Sequence, residues 1–435
     1  MKSFFNLIPK NIDPAYKKTP KDFSRNRKLP FSKLIVFILS ITASGKSKGI
    51  DSKSGEFFKN AKRSGLWPGA EAIHRSSLTK ARKKISWTIF RDLLQKAVKL
   101  AYEIWPEDNK FLWHGMSVFA TDGSRFTLPS TDEIRNAFDP QRGKKLNGHF
   151  PQCLVSTLYD VFRRLPVART IVSTNNANER EEAKKHLQFI PSNSVWLFDK
   201  GYPSYDLILH LIENFTGYFV FRCPAYNSFP ALKPFITSSK KDGIIWITPS
   251  NKYMAGIAAK DRKKCKNIKL RVVKLINPKG KISVLLTNLY DKKQFSEKEI
   301  IALYFRRWEI EGYYRDEKVV MEIEKFHTKT INGILQELYA AMIMSVITRI
   351  LMVLSSDAFF GGEREIQFKN AILTIASEAA VLVPENPRKA IEIFNEVIIE
   401  ISRVKYYRPK IPRSAQPRVT KKSVNKWRGN NKKYR

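Results

Sequence analysis

Four polar residues on one predicted helix have a spacing that suits chemistry on a phosphate. The segment that begins at Tyr304 reads YFRRWEIEGYYRDEK, and its single Gly and lack of Pro predict a helix. At about 100° per residue, Tyr304, Arg307, Glu311 and Lys318 fall within about 60° of one another, on a stripe about 21 Å long. Arg315 lies beside this stripe. A carboxylate among cations and a phenol suits a phosphate backbone that passes over a metal site.

Two aspartates are predicted to lie at the carboxyl ends of strands. Asp122 ends the apolar run SVFATD, and Asp199 directly follows SVWLF. Each precedes a predicted turn with a glycine, Gly123 or Gly201, that would let a backbone or a phosphate approach closely. Because this edge is where open α/β sheets bind ligands, the two aspartates and Glu311 could supply three oxygen ligands for Mg²⁺ or Mn²⁺. Two such ions about 4 Å apart would assist an in-line displacement at phosphorus.

Each of these signals also has a purely structural interpretation. The polar stripe could be a solvated, salt-bridged helix face, and a lone Asp-Gly pair is commonly a turn. Asp199 could instead cap the helix that follows it. Glu309 could compete with Glu311 as a ligand, but it is predicted to lie about 140° around the helix from Tyr304, far from the stripe. The functional interpretation depends on the three carboxylates occurring together.

The composition favours a polyanionic partner. The 435 residues include 78 Lys and Arg against 40 Asp and Glu, which gives a net charge of +38. Self-repulsion on this scale opposes compaction of an isolated protein, and nucleic acid is the expected partner. The 43% hydrophobic content argues against a disordered chain. The longest apolar run, 34–41, is too short to span a bilayer, and the first ten residues lack a secretory core, so we expect no membrane association and a cytoplasmic, nucleoid-associated protein.

Cysteine and histidine do not provide a metal site in the sequence. The three cysteines and six histidines are scattered, without the spacing of a zinc site, and the chain fits a reducing compartment. A metal, if bound, should therefore be held by carboxylates.

The apolar run 333–354 predicts a core helix, and 224–291 has no helical pattern. Apolar and β-branched runs predict strands at 117–122, 153–159, 165–172, 194–198, 217–222, 243–248, 268–276 and 281–288. The order of predicted elements describes a mixed sheet covered by helices, an α/β domain with additional helical regions. We divide the chain into a helical basic DNA-binding region with a flexible N-terminal arm (1–110), the first part of the α/β domain (111–222), a β-rich insertion (223–295), its second part with the polar stripe (296–356), and C-terminal helices with a basic tail (357–435).

Two basic stretches are the predicted nucleic-acid contacts outside the polar stripe. Near the N-terminus the charges of Lys80, Arg82, Lys83 and Lys84 favour a DNA-binding module over an ordinary helical subdomain. The tail over 403–435 has thirteen Lys and Arg and no acidic residue, which predicts a solvated segment that contacts a polyanion.

The spacing Tyr304-x2-Arg307-x3-Glu311-x6-Lys318 resembles a known signature. It matches the Y-R-E-K pattern of one branch of bacterial insertion-sequence transposases, insertion sequence family four, and the wider string YxxRWxIExxYRxxK is similar over the whole helix. The resemblance covers roughly residues 115–345, and it extends more loosely to both basic ends.

The two predicted strand ends resemble the acidic motifs of the same family. The strings ATDGSRFTLP around Asp122 and LFDKGY around Asp199 occur in the family's order, and the β-rich stretch after them lies where this branch carries an insertion. Lys200 stands where the family commonly has Arg, which is a mild change for a phosphate contact.

The resemblance implies a ribonuclease-H-like fold and a DDE triad of Asp122, Asp199 and Glu311 with two Mg²⁺ or Mn²⁺ ions. It implies hydrolysis of a DNA strand at the element's end, followed by attack of the freed 3′-OH on target DNA, in some members through a hairpin. It also implies a homodimer that pairs two transposon ends.

The family's DNA contacts transfer to the polar stripe. The resemblance implies that Tyr304, Arg307 and Lys318 contact phosphates. Arg315 and Lys200 are two further candidates for phosphate contacts. An aromatic residue that stacks on a flipped base is also known in the family, and Trp246 is one candidate.

Three alternatives to a transposase stay open at this point: a related DDE nuclease without strand transfer, a non-catalytic DNA-binding protein derived from a transposase, and a basic structural nucleic-acid binder. Carboxylates at all three motif positions favour the two catalytic interpretations, a transposase or a related nuclease, over the non-catalytic ones.

Overall fold

We describe a computed structural model of the chain. It describes residues 2–25, 28–45, 47–105, 108–140, 150–224, 229–263, 265–277, 280–355 and 364–407.

Helices and strands alternate through the middle of the chain and helices flank them on both sides. The helices are α1 (Lys2–Phe5), α2 (Phe31–Ala43), α3 (Ile50–Arg63), α4 (Arg75–Arg82), α5 (Thr88–Ile104), α6 (Asp132–Phe138), α7 (Glu179–His186), α8 (Tyr205–Asn214), α9 (Leu232–Thr237), α10 (Asn251–Gly256), α11 (Ala259–Arg262), α12 (Glu297–Phe305), α13 (Glu309–Arg315), α14 (Ile331–Ser355), α15 (Phe368–Ser377) and α16 (Pro387–Arg403). The strands are β1 (Ser117–Thr127), β2 (Gln152–Asp160), β3 (Leu165–Ser173), β4 (Ser194–Phe198), β5 (Tyr218–Pro224), β6 (Asp242–Ile247), β7 (Ile268–Ile276), β8 (Ile282–Thr287), β9 (Arg364–Ile366) and β10 (Lys405–Tyr407).

The central sheet has eight strands in the order β3-β2-β1-β4-β5-β8-β7-β6. Strands β1, β4 and β5 are parallel, and β1, β2 and β3 form an antiparallel meander. An antiparallel trio that continues into parallel strands joined through helices is the arrangement of the ribonuclease-H-like fold. The predicted fold class, a mixed α/β sheet with flanking helices, is therefore confirmed.

The β-rich stretch after β5 extends the same sheet. Strand β8 pairs antiparallel with β5, and β7 and β6 follow in antiparallel order to the edge. The sequence predicts these three strands, but it does not predict that they join the central sheet. It also predicts no helix in this stretch, which is wrong, since α9, α10 and α11 lie between the strands.

A long apolar helix forms the core between the two ends of the chain. Helix α14 contacts α2 and α5 from the N-terminal region and α15 and α16 from the C-terminal region. It is long and apolar enough to cross a membrane, but 83% of its most apolar window is buried within the protein. Burial of this extent identifies α14 as a core helix, as its sequence predicts.

Arg82 belongs to this core and is not available to DNA. Its side chain is 5% exposed, and its Nη1 lies 2.8 Å from Oε1 of Glu337 on α14. Its other nitrogens donate to Gln336 Oε1 and to the Gly333 carbonyl. The prediction that Arg82 adds to a DNA-binding charge cluster is wrong, because a buried guanidinium with these partners anchors α4 to α14.

The predicted flexible N-terminal arm is wrong for its first residues, since Phe4, Leu7 and Ile8 are buried and the Phe4 ring packs against Phe394 of α16.

Two predicted boundaries also differ from the structure. Strand β1 does not end at Asp122: it continues to Thr127, so Gly123 lies inside the strand and not in a turn. The basic tail does not begin at Arg403, because β10 follows α16 and pairs with β9. Residues 408–435 of the predicted tail lie outside the described residues.

Candidate active site

The register between two parallel strands places Asp122 next to Asp199. The last pair between β1 and β4 joins Thr121 to Phe198. The next residue on each strand is an aspartate, and neighbouring strands are about 4.8 Å apart. Strand β1 is paired beyond this point with β2 alone, so the aspartates lie where the sheet opens between β1 and β4. Strand pairing thus makes neighbours of two aspartates that are far apart in the chain.

The polar stripe lies on a helical run that changes its pitch twice. A capping box between Ser296 and Glu299 begins the run at α12. Residues 306–308 form a 3-10 turn, α13 follows, and residues 316–320 form a π turn. We call the whole run, residues 297–320, the signature helix. Its continuity confirms the predicted helix, while π turns such as the one at its end occur frequently at functional sites.

Arg307 lies at the centre of the three predicted acidic residues. Its Nη2 donates to Glu311 Oε1 at 2.9 Å and lies 3.8 Å from Asp199 Oδ1, and its Nη1 lies 3.9 Å from Asp122 Oδ2. The side chain is only 3% exposed, and Nε and Nη1 have no hydrogen-bond acceptor among the described residues. The structure thus brings Asp122, Asp199 and Glu311 to within 4 Å of one cationic group.

Tyr304 completes the cluster from the preceding turn. It is almost fully buried, and its hydroxyl donates to Asp199 Oδ1 at 3.3 Å. Burial raises the pKa of Tyr304 to about 12, so the phenol stays protonated and able to donate at neutral pH. The stripe therefore faces the carboxylates at this end and not the solvent.

Asp122 is a carboxylate whose pKa lies well above its ordinary value. Burial raises the pKa of Asp122 to about 7, although the Arg307 guanidinium opposes the shift. The negative charges of Asp199 and Glu179 add to the rise. An additional cation beside Asp122 would favour its ionised form.

The donor set can be compared with the divalent ions that the sequence predicts. As the side chains lie, no group of three or more His, Cys, Asp or Glu in the described residues is close enough to hold a metal ion. The three carboxylates nevertheless supply hard oxygen donors alone and converge on one cation, Arg307. Their chemistry fits Mg²⁺ or Mn²⁺, provided that the side chains close around the ion.

The other predicted contact residues lie outside this cluster. Lys318 Nζ donates to Ser124 Oγ and to the Arg125 carbonyl, both at 2.7 Å, so it is held against β1. Arg315 and Lys200 are exposed, and no carboxylate lies within 4 Å of either in the described part of the chain. Trp246 is 55% exposed on β6, the edge strand of the sheet.

Two buried contacts that sequence reasoning missed fix the signature helix against the sheet. The Tyr314 hydroxyl donates to the main-chain carbonyl of Asp122 at 2.7 Å. Arg169 on β3 places Nη2 2.6 Å from Oε1 of Glu317, and both side chains are fully buried. Nothing in the sequence identifies the partners of Tyr314 and Glu317, because these lie on strands far away in the chain.

Glu179 is a further carboxylate near the cluster that sequence reasoning missed. It is the first residue of α7, and its side chain lies over the backbone of Gly123. The run EREEAKKH reads as an ordinary charged helix face, so no signal distinguishes this glutamate from its neighbours.

Comparison with known proteins adds independent findings. A family model described as the transposase DDE domain matches residues 113–347, which is more than half of the chain. This range contains all three carboxylates of the cluster.

Two curated relatives are similar to the chain. The transposase InsG for insertion sequence element IS4 of Escherichia coli (strain K12) is 24% identical over 291 residues, 66% of this chain and 63% of that protein. The putative transposase InsZ of the same organism is 29% identical over 152 residues, 34% of this chain and 48% of that protein. The chain thus spans less than two thirds of the length of either relative. A cryo-EM structure of the piggyBac transposase synaptic complex with hairpin DNA aligns with a TM-score of 0.45 and 10% identity, over 95% of this chain and 86% of that chain.

Proposed function

The chain belongs to the family of DDE-domain transposases, with the resemblance to insertion sequence family four confirmed, and we propose that it cuts DNA at the ends of an insertion sequence and joins those ends to target DNA. In the first step, water attacks the phosphorus at the element's end, and the bond to the 3′ oxygen breaks. The freed 3′-OH then attacks a phosphodiester of the target, and a 3′ oxygen of the target strand leaves. Each step exchanges one P–O bond for another, so no further reactant is needed.

The observation that carries the proposal is the convergence of Asp122, Asp199 and Glu311 on one guanidinium. We assign these residues as the catalytic triad and as the ligands of Mg²⁺ or Mn²⁺. Two bound ions would supply charge stabilisation for the attacking and leaving oxygens. The three donors lie on or next to three elements that contact one another: β1 pairs with β4, and the signature helix donates a hydrogen bond to β1.

Arg307 and Tyr304 are proposed to position both the carboxylates and the DNA. The two guanidinium nitrogens without acceptors among the described residues are suited to donate to a phosphate oxygen. Because Arg307 also contacts Glu311, a phosphate bound there would lie next to the triad. Arg315 and Lys200 are exposed candidates for phosphates further along the strand, and Lys318 would have to leave β1 to join them.

Strand transfer is the measurement that tests the proposed function. We expect purified protein with Mg²⁺ to join pre-cut element ends to a supercoiled plasmid, because the triad is complete. The ends can be taken from short inverted repeats in the DNA that flanks the gene. Products should be read as joined DNA on a gel, with protein carrying Asp199→Asn as the inactive control.

The outcome also separates the alternatives. Cleavage of uncut ends without any joined product would indicate a nuclease on the same fold. Binding of the ends without cleavage would indicate a DNA-binding protein derived from a transposase.

The basic C-terminal segment is proposed to contact DNA outside the active site. Removal of residues 408–435 leaves the paired strand β10 intact and removes eleven Lys and Arg. We expect weaker binding to end DNA and a shallower dependence of log K on log salt, since fewer counterions would be released. Fluorescence anisotropy over a salt series measures both quantities.

An unchanged salt slope would show that this segment does not touch DNA. A variant in which the Lys and Arg of 408–435 are replaced by Gln is the matched control, because it keeps the length and removes the charge.

Because two ends must be joined together, we also propose that the active form is a homodimer in a paired-end complex. Light scattering of the protein with and without end DNA would detect it.

A further inference from the structure

A glycine inside a strand marks a close approach beside Asp122. Gly123 follows Asp122 directly and pairs with Ser156 of β2, in the interior of β1. A Cβ atom on Gly123 would lie 2.8 Å from Cδ and 2.9 Å from Oε1 of Glu179, below the 3.0 Å that real Cβ contacts essentially never cross. Glycine weakens a strand interior and commonly marks the approach of another group. Here that group is the carboxylate of Glu179.

Glu179 differs from the other glutamates of α7 in its charge balance. Glu181 pairs with Lys184 at 2.8 Å, and Glu182 pairs with Lys185 at 2.7 Å. Each of those lysines lies three residues later on the helix, whereas the equivalent position for Glu179 is itself a glutamate. Within the described residues, no Lys or Arg nitrogen lies within 4 Å of the Glu179 carboxylate. Its charge is thus not balanced by a direct ion pair on its own helix.

The charge of Glu179 acts on the triad. Glu179 interacts electrostatically with Asp122 and with Asp199. Burial raises the pKa of Tyr202, which is 1% exposed, and the charges of all three of these carboxylates raise that pKa further. Arg307 and Arg125 act on these groups as cations, but four carboxylates around them leave an excess of negative charge, which is unfavourable. A bound cation would relieve the repulsion.

We propose that Glu179 is a fourth carboxylate of the active site, which reaches over Gly123 to bind the divalent ions together with Asp122, Asp199 and Glu311. The inference rests on the proposed function, because it assumes that the triad holds metal. Four carboxylates balance the charge of two divalent ions, whereas the triad alone does not. Glu179 enters from α7, so the ions would be held by two helices as well as by β1 and the end of β4.

Metal affinity of the whole protein tests this inference without reference to activity. Mn²⁺ binding to the full chain in the absence of DNA can be followed by isothermal titration calorimetry or by the EPR signal of free Mn²⁺. We expect Glu179→Gln to weaken Mn²⁺ binding by about tenfold or more, because it removes a charged donor but keeps the side-chain shape. Glu181→Gln, on the same helix and exposed, is the matched control and should bind Mn²⁺ as the unaltered chain does.

A second variant reaches the same site by another route. Gly123→Ala should displace the Glu179 carboxylate and weaken Mn²⁺ binding in the same direction. Thermal unfolding without metal should show that both variants fold. In addition, Fe²⁺ with ascorbate should cleave the backbone of the unaltered chain near residue 179 as well as near Asp122.

The outcomes distinguish this inference from the proposed function. If Asp122→Asn weakens Mn²⁺ binding and Glu179→Gln does not, Glu179 is not a ligand and the triad stands. If neither change alters Mn²⁺ binding, the metal site itself is wrong and both proposals fail. Iron-directed cleavage near Asp122 without cleavage near residue 179 would also overturn the fourth ligand.

Discussion

Protein carrying Glu311→Gln should bind element ends normally and fail to cut them in Mg²⁺. Gln keeps the shape of the side chain and can still contact Arg307, but it removes the negative charge that a divalent ion requires. We expect the cleavage rate to fall by about 10²-fold or more, the effect typical of removing one electrostatic contact from a transition state. A gel assay of end cleavage beside an anisotropy measurement of end binding separates the two properties.

Glu309→Gln is the matched control on the same helix. Glu309 lies on the other side, near Arg164 at 3.5 Å and Arg306 at 3.7 Å, and does not join the cluster around Arg307. Cleavage by this variant should stay close to that of the unaltered chain. If protein with Glu311→Gln still nicked DNA while Glu309→Gln did not, the ligand assignment on this helix would have to be exchanged.

The largest effect on stability should come from breaking the buried pair between Arg169 and Glu317. Arg169 Nη2 contacts both carboxylate oxygens, at 2.6 and 2.7 Å, and its Nη1 donates to the Leu338 carbonyl of α14. Burial lowers the pKa of Arg169, but the charge and hydrogen bond of Glu317, together with Tyr313 and Tyr314, outweigh burial and raise that pKa above its ordinary value. The pair thus ties β3 to the π turn of the signature helix and to α14.

Arg169→Met should lower the free energy of unfolding by about 3–5 kcal/mol, because it leaves the Glu317 carboxylate buried without its cation. Urea unfolding followed by circular dichroism measures the change. The double change Arg169→Met with Glu317→Met should recover part of the loss, since apolar replacement of both partners removes the uncompensated charge.

An exposed pair provides the contrast. Arg403→Met breaks a contact with Glu400 at the solvent-exposed end of α16 and should alter stability little.

The double change Arg169→Met with Glu317→Met also provides the contradicting outcome. If this double variant were as unstable as Arg169→Met alone, the loss would come from packing around residue 169 and not from the unpaired carboxylate.

Local patterns determined much of the fold. Runs of β-branched and apolar residues predicted β2, β3, β4, β5 and the three strands of the later extension, because a strand's side-chain pattern is contained in its own sequence. The apolar run of α14 likewise predicted a core helix. The spacing of the polar stripe predicted the signature helix and the shared face of Tyr304, Arg307 and Glu311, since one helix fixes their relative directions.

Strand pairing decided what the sequence could not. The sequence placed Asp122 at a strand end, yet β1 continues, and only its register with β4 makes Asp122 a neighbour of Asp199. Likewise, the extra strands join the main sheet because β8 pairs with the free edge of β5. Register joins residues far apart in the chain, so it depends on the packing of the whole sheet and leaves no local signal.

Burial decided the roles of the charged residues. By type and spacing, Arg307 and Arg82 are cations for a phosphate. The structure buries both against carboxylates, and only Arg307, which lies at the triad, keeps a proposed phosphate contact. For Glu179 the sequence indicates only an ordinary charged helix, but in the structure its carboxylate approaches Asp122 through the space that Gly123 leaves. The sequence by itself determined which carboxylates and cations the chain brings to its chemistry. The tertiary structure decided which of them meet, since a side chain's charge can act only on the groups that folding places beside it.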